Sequence, residues 1–261
     1  MATAPSYLRD TSTPACPNMS AAEWQARLDL AAAHRYAVIK GWGQLIFNHF
    51  TMRVPGEPNH FLIKPHQLLF EEVTASNLLK LDLDGKPVGN DENVNAAGFT
   101  IHTAVLAARP DANAVCHIHT IAGATLAAMK DGLRFYTQES TMFYNRVGYH
   151  DSEGVADDAN ERERIARDLG PTHKALILRN HGLLTCGETM VDALYKMNEL
   201  VFAAEVQMHV MASGAQAQEI PPEVAEKGAQ QFEKFYSRHK YADRWPAMLR
   251  MVEKEHASYR D

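Results

Sequence analysis

The sequence predicts a single α/β domain built around a mixed, largely antiparallel sheet. Three observations predict it. Helical and strand periodicities alternate along the chain, and several of the strand candidates are joined by hairpin-turn signals. No repeat, low-complexity segment or linker divides the 261 residues, a length sufficient to bury one large core.

Residues 1–19, rich in Thr, Pro and Ala and without periodicity, read as an arm; 20–261 read as the domain, with a helical C-terminal tail. Ser20-Ala-Ala-Glu23 is a capping box, opening a helix to about Lys40 that Gly41 and Gly43 end. His49 to Val54 and Phe61 to Lys64 read as strands joined through Pro55-Gly56-Glu57-Pro58. Leu78 to Leu83 and Pro87-Val88 flank the turn signal Asp84-Gly85. Phe99, Val105 and Leu106 recur at helical spacing between Asn95 and Arg109, and Pro110 stops that run.

Ala112 to His119 is a short apolar strand, after which Thr120 caps a helix of small residues to Lys130. A charged helix from Asp157 to Asp168 closes at Gly170-Pro171. Lys174 to Arg179 is a dense aliphatic strand, and Asn180-His181-Gly182 leads to another. Met190 to Ser213 carries apolar residues at 3.6 spacing. The tail from Pro221 is mixed helix anchored by Phe232, Phe235, Tyr236 and Trp245.

Composition excludes several classes of function. Hydrophobic residues at 46% and charged residues at 22% are those of an ordinary globular protein. A net charge of −6 argues against general affinity for phosphate backbones or anionic lipid, so neither nucleic acid nor membrane is an expected partner. No stretch approaches the roughly 18 uncharged apolar residues of a membrane span. Cys16, Cys116 and Cys186, odd in number and without C-x-x-C spacing, fit a reducing compartment. With no signal-peptide pattern at the N-terminus, the expected location is the cytoplasm.

The chemistry concentrates in histidines. His117 and His119 stand two apart in Ala-Val-Cys-His-Ile-His, so both imidazoles leave the same face of a strand while Cys116 and Ile118 turn into the core. Roots about 7 Å apart can converge on one cation. His181 is the third candidate: it ends a second buried strand, and Gly182 after it lets the backbone turn sharply. Cys116 and Cys186 are rival ligands by position, although strand alternation aims Cys116 inward. Three neutral imidazoles suit one divalent ion per subunit, zinc first and manganese, cobalt or iron next, with a coordination position left open.

These residues resemble the class II aldolase/adducin family, in which metal ligands come from an H-x-H and a later His-Gly. The resemblance rests on Arg109-Pro-Asp-Ala-Asn-Ala-Val-Cys-His-Ile-His-Thr120 and Leu176-Ile-Leu-Arg-Asn-His-Gly-Leu183. It rests also on Gly41-Trp-Gly-Gln-Leu-Ile-Phe-Asn-His49 and Val94-Asn-Ala-Ala-Gly-Phe-Thr-Ile-His102. It covers roughly residues 25 to 215 and is most similar to the adducin head and its bacterial relatives. It implies an α/β/α sandwich, a homotetramer with sites between neighbouring subunits, and His117, His119 and His181 as the metal ligands.

Departures from the family pattern shape the expected function. The Ser-Ser-Glu of sugar-phosphate aldolases is here Ala96, Ala97 and Gly98, and the Thr-Gly phosphate loop is replaced by Lys64-Pro65-His66-Gln67. A phosphate therefore loses its donors, and the usual base is gone. Glu139 is the candidate substitute base, with Tyr136 and Tyr144 as flanking acids or pocket walls. Asn48 and His66 are candidate substrate contacts, with a local turn cap the alternative for Asn48. His102 matches a family histidine and is expected to support the site rather than ligate.

The leading expectation is a metal-dependent lyase, aldolase- or decarboxylase-type, on a small non-phosphorylated hydroxy- or oxo-acid. A non-haem iron oxygenase on the same histidines is the alternative enzyme, against which the missing carboxylate ligand counts. A non-catalytic adducin-like module is the third reading. Actin is not an expected partner, because the chain ends at Asp261 without a lysine-rich tail.

Overall fold

Ser20 starts the first helix as its spacing predicts: its hydroxyl accepts from the Glu23 backbone amide at 3.0 Å. Glu23 does not complete a reciprocal box, because its carboxylate is held by Arg27 and Lys80 instead. The computed structural model describes residues 19–88, 96–155, 160–239 and 243–261, leaving aside the side chains of 96–98 and 236–239. Residues 1–18 of the N-terminal arm, the start of the charged helix before residue 160, and the side chains of Ala96, Ala97 and Tyr236 lie outside the described residues.

The elements are α1 (Ala21–Ile39), β1 (His49–Val54), β2 (Glu57–Ile63), β3 (Leu79–Asp82), α2 (Ala96–Ala108), β4 (Ala114–Ile118) and α3 (Ile121–Ala128). They continue with β5 (Val147–His150), α4 (Glu161–Leu169), β6 (Ala175–Leu178), β7 (Gly182–Gly187), α5 (Met190–Ser213), α6 (Pro222–His239) and α7 (Arg244–His256). The strands form one seven-stranded sheet in the order β3-β2-β1-β4-β7-β6-β5. Neighbouring strands pair antiparallel except β5 and β6, which are parallel. The mixed, largely antiparallel sheet is therefore observed.

Two cores explain the layering. On one face Phe50, Cys116, Ile118 and Ile177 pack with α1, α3, α5 and α7. On the other, Val115, Leu176 and Leu184 pack with Ile101 and Val105 of α2 and Ile165 and Leu169 of α4. Helices cover both faces, giving the α/β/α sandwich. Cys116 and Ile118 face the larger core as strand alternation requires, so His117 and His119 leave the α2/α4 face.

Three elements differ from the sequence reading. β2 begins at Glu57 rather than Phe61, because the turn at Gly56 (φ 82°) lets pairing start at once with Val54. Val147–His150 is a strand that local pattern does not reveal; four residues containing a glycine carry little strand preference, and pairing with β6 supplies it. A short 3-10 turn, Glu139–Phe143, precedes that strand. In the tail, Phe232 and Trp245 do pack on the core, whereas Phe235 is 40% exposed under the Arg244 guanidinium. Among the described residues, no helix is long and apolar enough to cross a membrane.

Candidate metal centre

The end of β4 brings His117 and His119 to one point, and the β6–β7 hairpin brings His181 to meet them. Each of the three offers a ligand atom within 4.8 Å of the others. The rings stand 4.7 to 4.8 Å apart, centroid to centroid. The hairpin is three residues, Arg179-Asn180-His181, closed by the Leu178–Gly182 pair. The left-handed residue is Asn180 (φ 57°), not Gly182. This corrects the sequence reading. Gly182 is required for space instead: a Cβ there would lie 2.6 Å from the Ile118 carbonyl oxygen and 2.8 Å from the His119 ring.

In two of the three rings the nitrogen that faces the centre is set by what the other ring nitrogen does. His117 Nδ1 donates to the Leu183 carbonyl at 3.0 Å, and His119 Nδ1 donates to Gln44 Oε1 at 2.7 Å. Both Nε2 atoms are then bare, and they face each other at 2.8 Å. Two lone pairs at that distance repel unless a cation lies between them. The separation matches two ligands at about 2.05 Å from one ion and nearly at right angles, close to 2.9 Å. Burial, then the neighbouring histidines, holds His117 well below its ordinary pKa; burial and then His181 bring His119 down to about 4. His181 is lowered by burial and then by His150. All three stay neutral near pH 7, the form that binds a metal, so the donor set fits a divalent cation.

Asn48 is fully buried and serves the centre through the backbone. Its Oδ1 accepts from the His119 amide at 3.1 Å, and its Nδ2 donates to the Trp42 carbonyl. Both ends of the side chain are engaged by the protein, which is the geometry of a tie rather than a substrate contact. Lys64 is buried and pushed down to about 8 by that burial. Its ammonium donates to the Ile46, Pro65, His66 and Leu68 carbonyls, clamping the 65–68 loop to the segment that carries Gln44. His66 is half-buried in this loop, and its Nδ1 is buried with no partner.

Glu139 and Tyr136 are not gathered with the histidines within one chain. Glu139 opens the 3-10 turn packed against α5 and α6, with its charge beside Glu199, and Tyr136 bonds Arg134. That is the α5 side of the sheet, opposite the face His117 leaves. Tyr144, on the same side, packs edge-on against Phe135.

The sequence reading missed His49. It pairs with His117 in the β1–β4 register, and the two rings lie 5.0 Å apart. Its Nδ1 is 2.8 Å from His102 Nε2, and His102 Nδ1 bonds the Thr51 hydroxyl, giving a buried chain of three side chains that ends beside a ligand. Burial pushes His102 down to about 3. The available signal was period two: His49 and Thr51 share a face of β1 just as His117 and His119 share one of β4. His102 thus touches His49 and Thr51 and is not one of the three gathered histidines.

Comparison with known proteins agrees with the geometry. The family model for the class II aldolase and adducin N-terminal domain matches residues 28–208. Alpha-adducin of Rattus norvegicus is 48% identical over 190 residues, which is 72% of this chain but 26% of that protein. The crystal structure of an aldolase II superfamily protein from Pseudomonas syringae aligns with a TM-score of 0.85 at 42% identity, covering 93% of this chain and 98% of that one. The L-fuculose 1-phosphate aldolase from Glaciozyma antarctica PI12 aligns with a TM-score of 0.80 at 28% identity, covering 96% and 98%. With its fold, its H-x-H and its His-Gly hairpin all accounted for, the chain belongs to the class II aldolase and adducin N-terminal domain family.

Proposed function

We propose that this protein is a metal-dependent lyase that breaks a carbon–carbon bond in a small, non-phosphorylated hydroxy- or oxo-acid. The observation that carries the reading is the pair of bare Nε2 atoms on His117 and His119, 2.8 Å apart with His181 beside both. A bound divalent ion, zinc first for a nitrogen donor set and manganese, cobalt or iron next, supplies Lewis-acid polarisation of substrate oxygens at the positions three protein ligands leave open.

The chain's own residues set the substrate class. Ala96 and Ala97 offer no hydroxyl to a phosphate, and Lys64 directs its ammonium to four backbone carbonyls. His49, oriented by His102 and Thr51, supplies a neutral hydrogen-bonding nitrogen for a substrate oxygen. His66, half-buried on the 65–68 loop, is the proposed contact on the loop side. With Gly98 in place of a base, loss of carbon dioxide is favoured over aldol cleavage, because the departing group leaves its electron pair on carbon without prior proton removal. Glu139 and Tyr136 enter only from a neighbouring subunit. Leu45 (71% exposed), Phe47 (49%) and Ile121 (83%) flank the segments around the histidines and fit contact between copies, as in a tetramer.

The test is elemental analysis of the native protein beside His117→Ala, followed by assay of a panel of hydroxy- and oxo-acids. Stoichiometric metal lost in the variant, with aldehyde or carbon dioxide released by the native protein, supports the lyase. Bound iron with oxygen uptake points to an oxygenase instead. A second reading draws on the 48% identity to alpha-adducin: a head-like interaction module in which the metal only stabilises the fold. Metal without turnover on any of the panel favours it.

A further inference from the structure

Two of the three ligand histidines have a visible protein partner for the ring nitrogen that turns away from the centre; the third does not. Leu183 and Gln44 hold His117 and His119. Among the described residues no side chain or carbonyl does the same for His181, whose backbone amide donates to the Leu178 carbonyl. A ligand imidazole without such a partner is free to rotate, and in metal sites that nitrogen ordinarily donates to a carboxylate, a carbonyl or a water.

Beside His181 lies a small cleft of about 10 Å³, lined by Ile101, Leu178, Arg179, His150 and Glu161 and opening past the exposed 152–154 segment. That is room for a single water, and the polar groups needed to keep one are present. His150, the last residue of β5, is 4% exposed. Its Nδ1 lies 2.7 Å from Asp168 Oδ2, which fixes Nδ1 as the donor and turns Nε2 toward the cavity. Glu161 Oε1 stands 3.4 Å from that Nε2, a marginal distance for a direct bond. A water in this space that donates to the Glu161 carboxylate keeps a lone pair for an N–H of His181.

We infer that His150 is a positioning residue for the metal centre: it holds, with Glu161, a water that bonds the outer nitrogen of His181, and Asp168 fixes its tautomer. The inference rests on the metal-centre reading above. A plain structural role is the competing account, since the same bonds clip α4 to the edge of the sheet.

Chelator competition with zinc and with cobalt, run on the wild type, His150→Phe, His150→Gln and Glu161→Gln, separates the two, with a thermal melt of each metal-free protein alongside. Positioning predicts affinity lowered about 10- to 100-fold in His150→Phe. It also predicts a changed visible spectrum of the cobalt form, and partial recovery in His150→Gln, whose amide can still bond the water. Metal affinity within twofold of wild type in the folded His150 variants, with only the melting temperature lowered, overturns the inference and leaves the metal centre standing. A wild type that takes up no metal overturns both. Should His150→Phe not fold, Glu161→Gln decides: several-fold weaker binding is expected, and unchanged binding overturns the inference.

Discussion

At Gly182 there is no room for a side chain. An added Cβ would meet the Ile118 carbonyl oxygen at 2.6 Å, and that carbonyl belongs to the strand carrying both His117 and His119. Gly182→Ala must therefore push β7 away from β4, and His181 moves with it. The expected cost is about 1–3 kcal/mol in chemical denaturation, together with at least tenfold weaker metal binding in chelator competition. A variant that melts and binds like wild type would show that the hairpin can shift without disturbing the histidines. Asn48 makes the complementary point: its amide joins two backbone groups, so it acts through the position of His119.

At the scale of elements, α1 and α7 meet at Asp29, which accepts from Trp245 Nε1 at 3.2 Å and from Gln25. Burial raises its carboxyl to about 6, against the opposing effect of those two hydrogen bonds. Between its unfolded value near 3.9 and about 6, the folded protein holds more of this proton than the unfolded chain does. Stability from this group therefore falls as pH rises through that window. Asp29→Asn keeps an oxygen for Trp245 and removes the buried charge. It is expected to raise the melting temperature by about 2–4 °C at pH 7 and by nothing at pH 4. Equal gains at both pH values would show that the carboxylate is not the cause.

For the whole molecule, a pH dependence follows from histidines sealed in the sandwich. Burial holds His34 and His102 neutral down to about 3, while in the unfolded chain each titrates near 6.5. The unfolded state binds more protons in between, so stability is lost as pH falls from about 6.5 toward 3. Metal-free protein at pH 5 should be weaker by about 2 kcal/mol for each of these two, read from urea curves at pH 7.5 and 5. A flat profile would place the two rings in contact with water. Assembly is tested separately: if copies meet through Ile121 as proposed above, Ile121→Asp, at an 83% exposed position next to the His119 strand end, lowers the mass in light scattering while leaving helical content unchanged. An unchanged mass would put the interface elsewhere.

The sequence by itself determined the alternation of elements, the common face of His117 and His119, and the choice of His181. Each of these is local: period two in a strand and a short turn after an aliphatic run are written in neighbouring residues. Only the tertiary structure decided that His49 lies across from His117, that His102 and Thr51 orient it, and that Glu139 stays on the far side of the sheet. It also decided that Val147–His150 is a strand and that Gly182 is small because β4 passes close by. The reason is physical. Cross-strand register and the packing of α2 and α4 join residues far apart in the chain, and the free energy that fixes them comes from burial shared among elements rather than from any one segment's preference.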